Sequence, residues 1–125
     1  MSLRTVEIEL DRPRHIQFTL SAMRDCCRRL GGITFLVLLQ RLEQLDLEAI
    51  VQSLHCGLRH EDRRLDVNDV ERLVQDYMDR EGAITDVLKA ISDAIELSGL
   101  IRRRQESENG AGALGEARSP ATPSR

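Results

Sequence analysis

The sequence predicts an α+β fold, mainly α, in which an N-terminal two-stranded β-hairpin precedes about five helices and a disordered C-terminal tail. Three observations carry this. Residues 4–20 alternate apolar and polar with period two, residues 22–104 carry apolar residues at helical spacing, and residues 105–125 carry neither pattern. The expected organisation is therefore one domain over 1–104 and a disordered tail over 105–125.

In the first segment Val6, Ile8 and Leu10 point one way and Thr5, Glu7 and Glu9 the other. Asp11-Arg12-Pro13-Arg14 reads as a turn, because Pro presets φ and Asp can bond its own backbone. Alternation resumes with Ile16, Phe18 and Leu20. An isolated hairpin is marginal in water, so its apolar face must rest on the helices that follow.

Ser21 reads as the N-cap of a helix over 22–30, which Gly31-Gly32 stops. Thr34 opens a second helix, and Asp46 caps a third that closes near Gly57. The clearest start is Asp66, with Asp69 three residues on and Val67, Val70, Leu73, Val74 and Tyr77 behind it. The last helix is expected over 83–104, and Arg102-Arg103-Arg104 suits the negative end of its dipole. The tail beyond has little apolar area with which to offset its ordering entropy.

Charged residues make up 31% and nearly cancel, leaving a net charge of −3, which argues against general affinity for nucleic acid backbones. The basic clusters lack the interleaved aromatics that stack bases. The longest apolar stretch, 33–39, is too short to span a bilayer, and nothing at the N-terminus has the apolar segment of a signal peptide. Three cysteines, Cys26, Cys27 and Cys56, fit free thiols in a reducing compartment.

No enzyme signature emerges. If Gly82 took the sixth place of a calcium loop, Tyr77 and Leu88 would occupy places that need carboxylates. A zinc site from Cys26, Cys27, His55, Cys56 and His60 has the wrong spacing, since adjacent helical side chains diverge by about 100°. Cys56 cannot use His55 as a base for the same reason, and Gly31-Gly32 lacks a phosphate-binding lysine. No catalysis, cofactor or metal is expected. What remains is apolar surface in excess of what so small a domain hides, and such surface marks partner sites. The excess in the last helix singles out Ile91, Ile95 and Leu100 as partner-facing residues.

The arrangement resembles a known family. It comprises a hairpin containing Val-Glu-Ile-Glu-Leu, a Pro turn, a short helix ending at Gly31, the run from Ile50 to Asp62, and Leu65-Asp66-Val67-Asn68-Asp69-Val70 leading into two helices. This is similar to the tail assembly chaperones of long-tailed phages and the related small tail-gene product of gene transfer agents. The likeness spans about residues 4–100, and Gly57-Leu58-Arg59-His60-Glu61-Asp62 followed by the Asp66 cap is its most specific part. The resemblance implies a protein of the host cytoplasm, absent from the mature particle, which binds the tape-measure protein, keeps it soluble, helps recruit tail-tube subunits and self-associates. It also implies a longer frameshifted form in many members. Two other readings stand beside it: a bacterial helical adaptor or regulator unrelated to phage, and a thiol-based zinc or redox protein.

Overall fold

The structure, a computed structural model, describes residues 4–101. A two-stranded antiparallel hairpin leads into five helices: β1 (Val6–Glu9), β2 (Pro13–Ile16), α1 (Leu20–Arg29), α2 (Phe35–Glu43), α3 (Leu47–Leu58), α4 (Val67–Asp79) and α5 (Ile84–Ser98). The expected α+β, mainly helical architecture is therefore present. The tail over 105–125 and the Arg102–Arg104 cluster lie outside the described residues.

The hairpin register sets Val6 against Ile16 and Ile8 against Arg14, so Arg14 shares the core face with three aliphatic residues. Pro13 is the first residue of β2 and not part of the turn, a position where a missing N–H costs no ladder bond inside the strand. The fully charged Arg14 is only 4% exposed. Its burial is tolerated because Asp11 accepts two guanidinium bonds, each of 2.9 Å, and Asp62 a third at 3.4 Å. Those bonds from Arg14 hold the Asp11 carboxyl below its ordinary value.

Helix α3 is the axis of the fold. It packs against β2, α1, α2, α4 and α5, and its residues Ser53, Leu54, His55, Cys56, Gly57 and Leu58 are buried in succession. An amphipathic surface helix shows one dry stripe; an unbroken run like this belongs to a helix wrapped on all sides. Helix α3 closes at Leu58, next to Gly57 as expected, and Gly57 also seats the hairpin on the helix. A Cβ there would stand 2.6 Å from Ile16 Cγ2 and 3.1 Å from the Phe18 ring. The same approach lets the Gln17 N–H donate to the Gly57 carbonyl at 2.9 Å. His55 is buried beside it, and its Nε2 carries the proton it donates to the Leu65 carbonyl at 2.9 Å.

Three of the expected caps are found. Thr34, Asp46 and Asp66 accept from the first-turn N–H groups of α2, α3 and α4, and Asp66 forms a reciprocal box with Asp69. Two helix ends differ from expectation. Helix α1 starts two residues early, because Thr19 rather than Ser21 caps it, accepting from Ala22 N at 3.0 Å. Helix α5 stops at Ser98, because Gly99 takes the left-handed conformation at φ 84° and breaks the ladder. Between α4 and α5 the left-handed residue is Glu81, at φ 72°, whereas Gly82 is needed for space: the Tyr77 ring lies where its Cβ would be.

Candidate functional site

Among the residues singled out in the last helix, Ile91 and Ile95 are core. They are 0% and 1% exposed, and only Ile95 borders a concavity, a pocket of about 150 Å³ that it lines with Leu39, Leu42, Leu88 and Ile101. The physical reason is the hairpin: α5 packs against β1 and β2 as well as α3 and α4, and its apolar stripe is covered from several directions. Leu100 is different. It follows Gly99, is half-buried, and forms one wall of an apolar groove.

That groove holds about 450 Å³ and runs along α1. Leu20, Met23 and Cys27 line it from α1, Ile33 and Phe35 from the connection to α2 and its first residue, and Leu100 from beyond α5. The spacing of Leu20, Met23 and Cys27 along a helix places all three on one face. Leu20 is 65% exposed, as is Leu36 at the start of α2. Covering an exposed leucine of this kind stabilises a complex by roughly 1.5–3 kcal/mol before ordering costs. The sequence marks 33–39, 87–95 and 97–101 as surplus apolar stretches, and Leu36, Val37 and Leu97 within them are exposed. The signal for α1 was weaker: Leu20, read as a strand residue, is the first residue of the helix and points outward.

The other flank of α1 is a basic cleft of about 540 Å³. Arg24, Arg28 and Arg29 line it from α1, and Arg59 and Arg63 from the end of α3 and the segment beyond. Asp25 is the one carboxylate among its lining residues. It binds Arg29 at 2.9 Å, Arg59 at 3.0 Å and Arg28 at 3.5 Å. Partial burial pushes the Asp25 carboxyl up, but the hydrogen bond from Arg29 and the surrounding guanidinium charges outweigh it and leave it below the ordinary value. Arg24 and Arg28 border both the groove and the cleft, so the two concavities share a ridge.

The thiols divide in two. Cys27 faces the groove, whereas Cys26 and Cys56 meet between α1 and α3, with Ser53 Oγ 3.5 Å from Cys26 Sγ. Cys56 donates toward Cys26, which raises the Cys56 pKa; burial raises it further. Sequence reading compared Cys56 with its neighbour His55 and missed this pairing, which depends on how α1 lies on α3. No group of three His, Cys, Asp or Glu residues poised to hold a metal occurs among the described residues.

The segment Gly57–Asp62 acts as a clamp. Arg59 reaches Asp25 on α1, His60 Nε2 bonds the His15 carbonyl at 2.8 Å, and Asp62 meets Arg14. Glu61 accepts from the His15 backbone N–H at 3.0 Å and lies 2.6 Å from His15 Nδ1. Burial raises the Glu61 pKa, but these bonds from His15 more than offset it and leave it lowered. No helix among the described residues is long and apolar enough to cross a membrane.

Comparison of the chain with protein families, with curated proteins and with solved structures finds no match.

Proposed function

We propose that this chain is a non-catalytic tail assembly chaperone that holds amphipathic helical segments of a tape-measure protein until tail-tube subunits enclose them. One observation carries the reading: an open apolar groove whose walls include the exposed Leu20 and the half-buried Leu100. A long amphipathic helix has no place to bury its stripe before the tube closes around it. A groove of about 450 Å³ accepts a few of its side chains reversibly. Modest affinity at each copy suffices when many copies line one target. The role needs no cofactor, and it places the chain in the host cytoplasm and outside the finished particle.

A tape-measure gene beside that of this chain is expected, and co-expression with its product tests the reading. The chain is expected to raise the soluble fraction of that protein several-fold, and Leu20→Asp to abolish the gain. Leu20 is the first residue of α1, where a carboxylate suits the helix dipole, so the substitution leaves the fold in place. An unchanged soluble fraction with the wild-type chain overturns the proposal.

A further inference from the structure

We infer that the segment bound in the α1 groove is an acidic amphipathic helix, whose apolar stripe enters the groove while its carboxylates cross the Arg24–Arg28 ridge toward the arginine cleft. This rests on the helix-binding reading of the groove and adds the partner's charge to it.

The inference starts from the spacing on α1. Arg24 and Arg28 are four residues apart and stand on one line of the helix, with Met23 and Cys27 on one side of them and Asp25 and Arg29 on the other. A helix laid along the groove therefore presents its apolar stripe to Met23, Cys27 and Phe35 and its flank to the ridge. That flank meets guanidinium groups in excess. Five arginines line the cleft and share the single carboxylate of Asp25, although the chain as a whole has a net charge of −3. Arg24 and Arg63 make no ion pair among the described residues. Asp25 meanwhile holds Arg28, Arg29 and Arg59 in place, so part of the ordering cost of binding is already met before a ligand arrives. Guanidinium forks match carboxylates in geometry.

Other occupants fit less well. Residues 102–125 contain five arginines against three glutamates, so the chain's own C-terminal segment would bring like charge to the ridge. A nucleic acid would use the cleft alone, where no Phe, Tyr or Trp is present to stack a base and the one imidazole, His60, is engaged with the His15 carbonyl. Only a ligand with an apolar stripe beside its acidic edge uses both concavities.

Three labelled synthetic peptides of about 20 residues test the inference, a length near 30 Å when helical. They share one Leu/Ile stripe at helical spacing and carry Glu, Gln or Lys at the flanking positions. Fluorescence anisotropy with the full chain is measured at low and high salt, with circular dichroism to confirm that each variant is folded. The Glu peptide is expected to bind roughly tenfold tighter than the Gln peptide at low salt, and the Lys peptide weakest, with the differences shrinking at high salt. The double change Arg24→Gln/Arg28→Gln should erase the Glu preference, so that the Glu and Gln peptides bind the variant alike. Leu20→Asp should weaken both. Equal affinity for the Glu and Gln peptides overturns the inference while helix binding stands. Failure of all three peptides overturns both. Tight binding of inorganic polyphosphate that depends on Arg24 and Arg28, without a preference for the Glu peptide, shows instead that the cleft serves a phosphate polyanion and also overturns it.

Discussion

Helices α5 and α1 reverse the expectation that the more apolar element is the one left over for a partner. Helix α5 is the longest of the five and carries Val87, Ile91, Ala94 and Ile95 along one stripe, all buried. Helix α1 is rich in arginine, yet it exposes Leu20 and lines the groove. Coverage, and not composition, separates them. Helix α5 is enclosed by both strands and by α3 and α4, whereas α1 rests on α2 and α3 and leaves two flanks to solvent. A small domain hides the stripe that has most neighbours, and its binding surface is found where neighbours run out.

The sharpest way to break this contrast is to truncate the α5 stripe. Ile91→Ala is expected to destabilise the fold by about 2–5 kcal/mol, the usual range for an isoleucine removed from a packed core. Urea unfolding followed by circular dichroism reads it directly. A loss under about 0.5 kcal/mol, the range typical of surface positions, would mean that α5 is not enclosed and that Ile91 is available to a partner after all.

A smaller effect is expected at the seat that makes the enclosure possible. Gly57 lets β2 settle on α3, and the settled hairpin in turn covers α5. In an open helix, Gly→Ala gains about 1 kcal/mol from helix propensity. Here the added Cβ meets Ile16 and the Phe18 ring, and overpacking of that kind costs roughly 1–3 kcal/mol. Gly57→Ala is therefore expected to lower the unfolding midpoint, with Ile16→Val, which frees a methyl at the point of collision, restoring part of the loss in the double variant. A rise in the midpoint would show that the hairpin is not pressed against α3.

Much of this architecture was legible in the sequence, and the reasons are local. The alternation of Val6, Ile8 and Leu10 and the caps at Thr34, Asp46 and Asp66 each depend on a few neighbouring residues. The site was not legible in the same way. Whether Ile95 or Leu20 is exposed depends on which element lands on it, and the hairpin that covers α5 is more than 60 residues away in the chain. Arg14 was unreadable for a related reason, because an inward-facing arginine makes sense only once Asp11 and Asp62 surround it. The arginine cleft likewise joins residues 24–29 to residues 59 and 63, which look in sequence like separate solvated clusters.

The smallest effect separates two candidate caps that lie two residues apart. Thr19 and Ser21 are both good N-cap residue types, but only Ser21 is expected as the cap from the sequence, with Thr19 and Leu20 read as strand. In the structure the Thr19 hydroxyl accepts from Ala22 N, while Ser21 lies inside the first turn and is exposed. Thr19→Ala is expected to cost about 1 kcal/mol, and Ser21→Ala to stay within about 0.5 kcal/mol of the parent. The contrast with α5 adds a reason for the asymmetry. Helix α5 has Ala83 at its N-cap, with no side-chain acceptor, and relies on the Asp86 carboxylate accepting from the Ala83 N–H at 3.1 Å and on enclosure by its neighbours. Helix α1 has less packing to hold its first turn, so its cap matters more, and fraying there would also displace Leu20 from the groove. Amide hydrogen exchange at Ala22 and Met23 should accelerate in Thr19→Ala and remain unchanged in Ser21→Ala. The reverse pattern would move the helix start to Ser21, return Leu20 to the strand side of the boundary, and remove one wall of the groove.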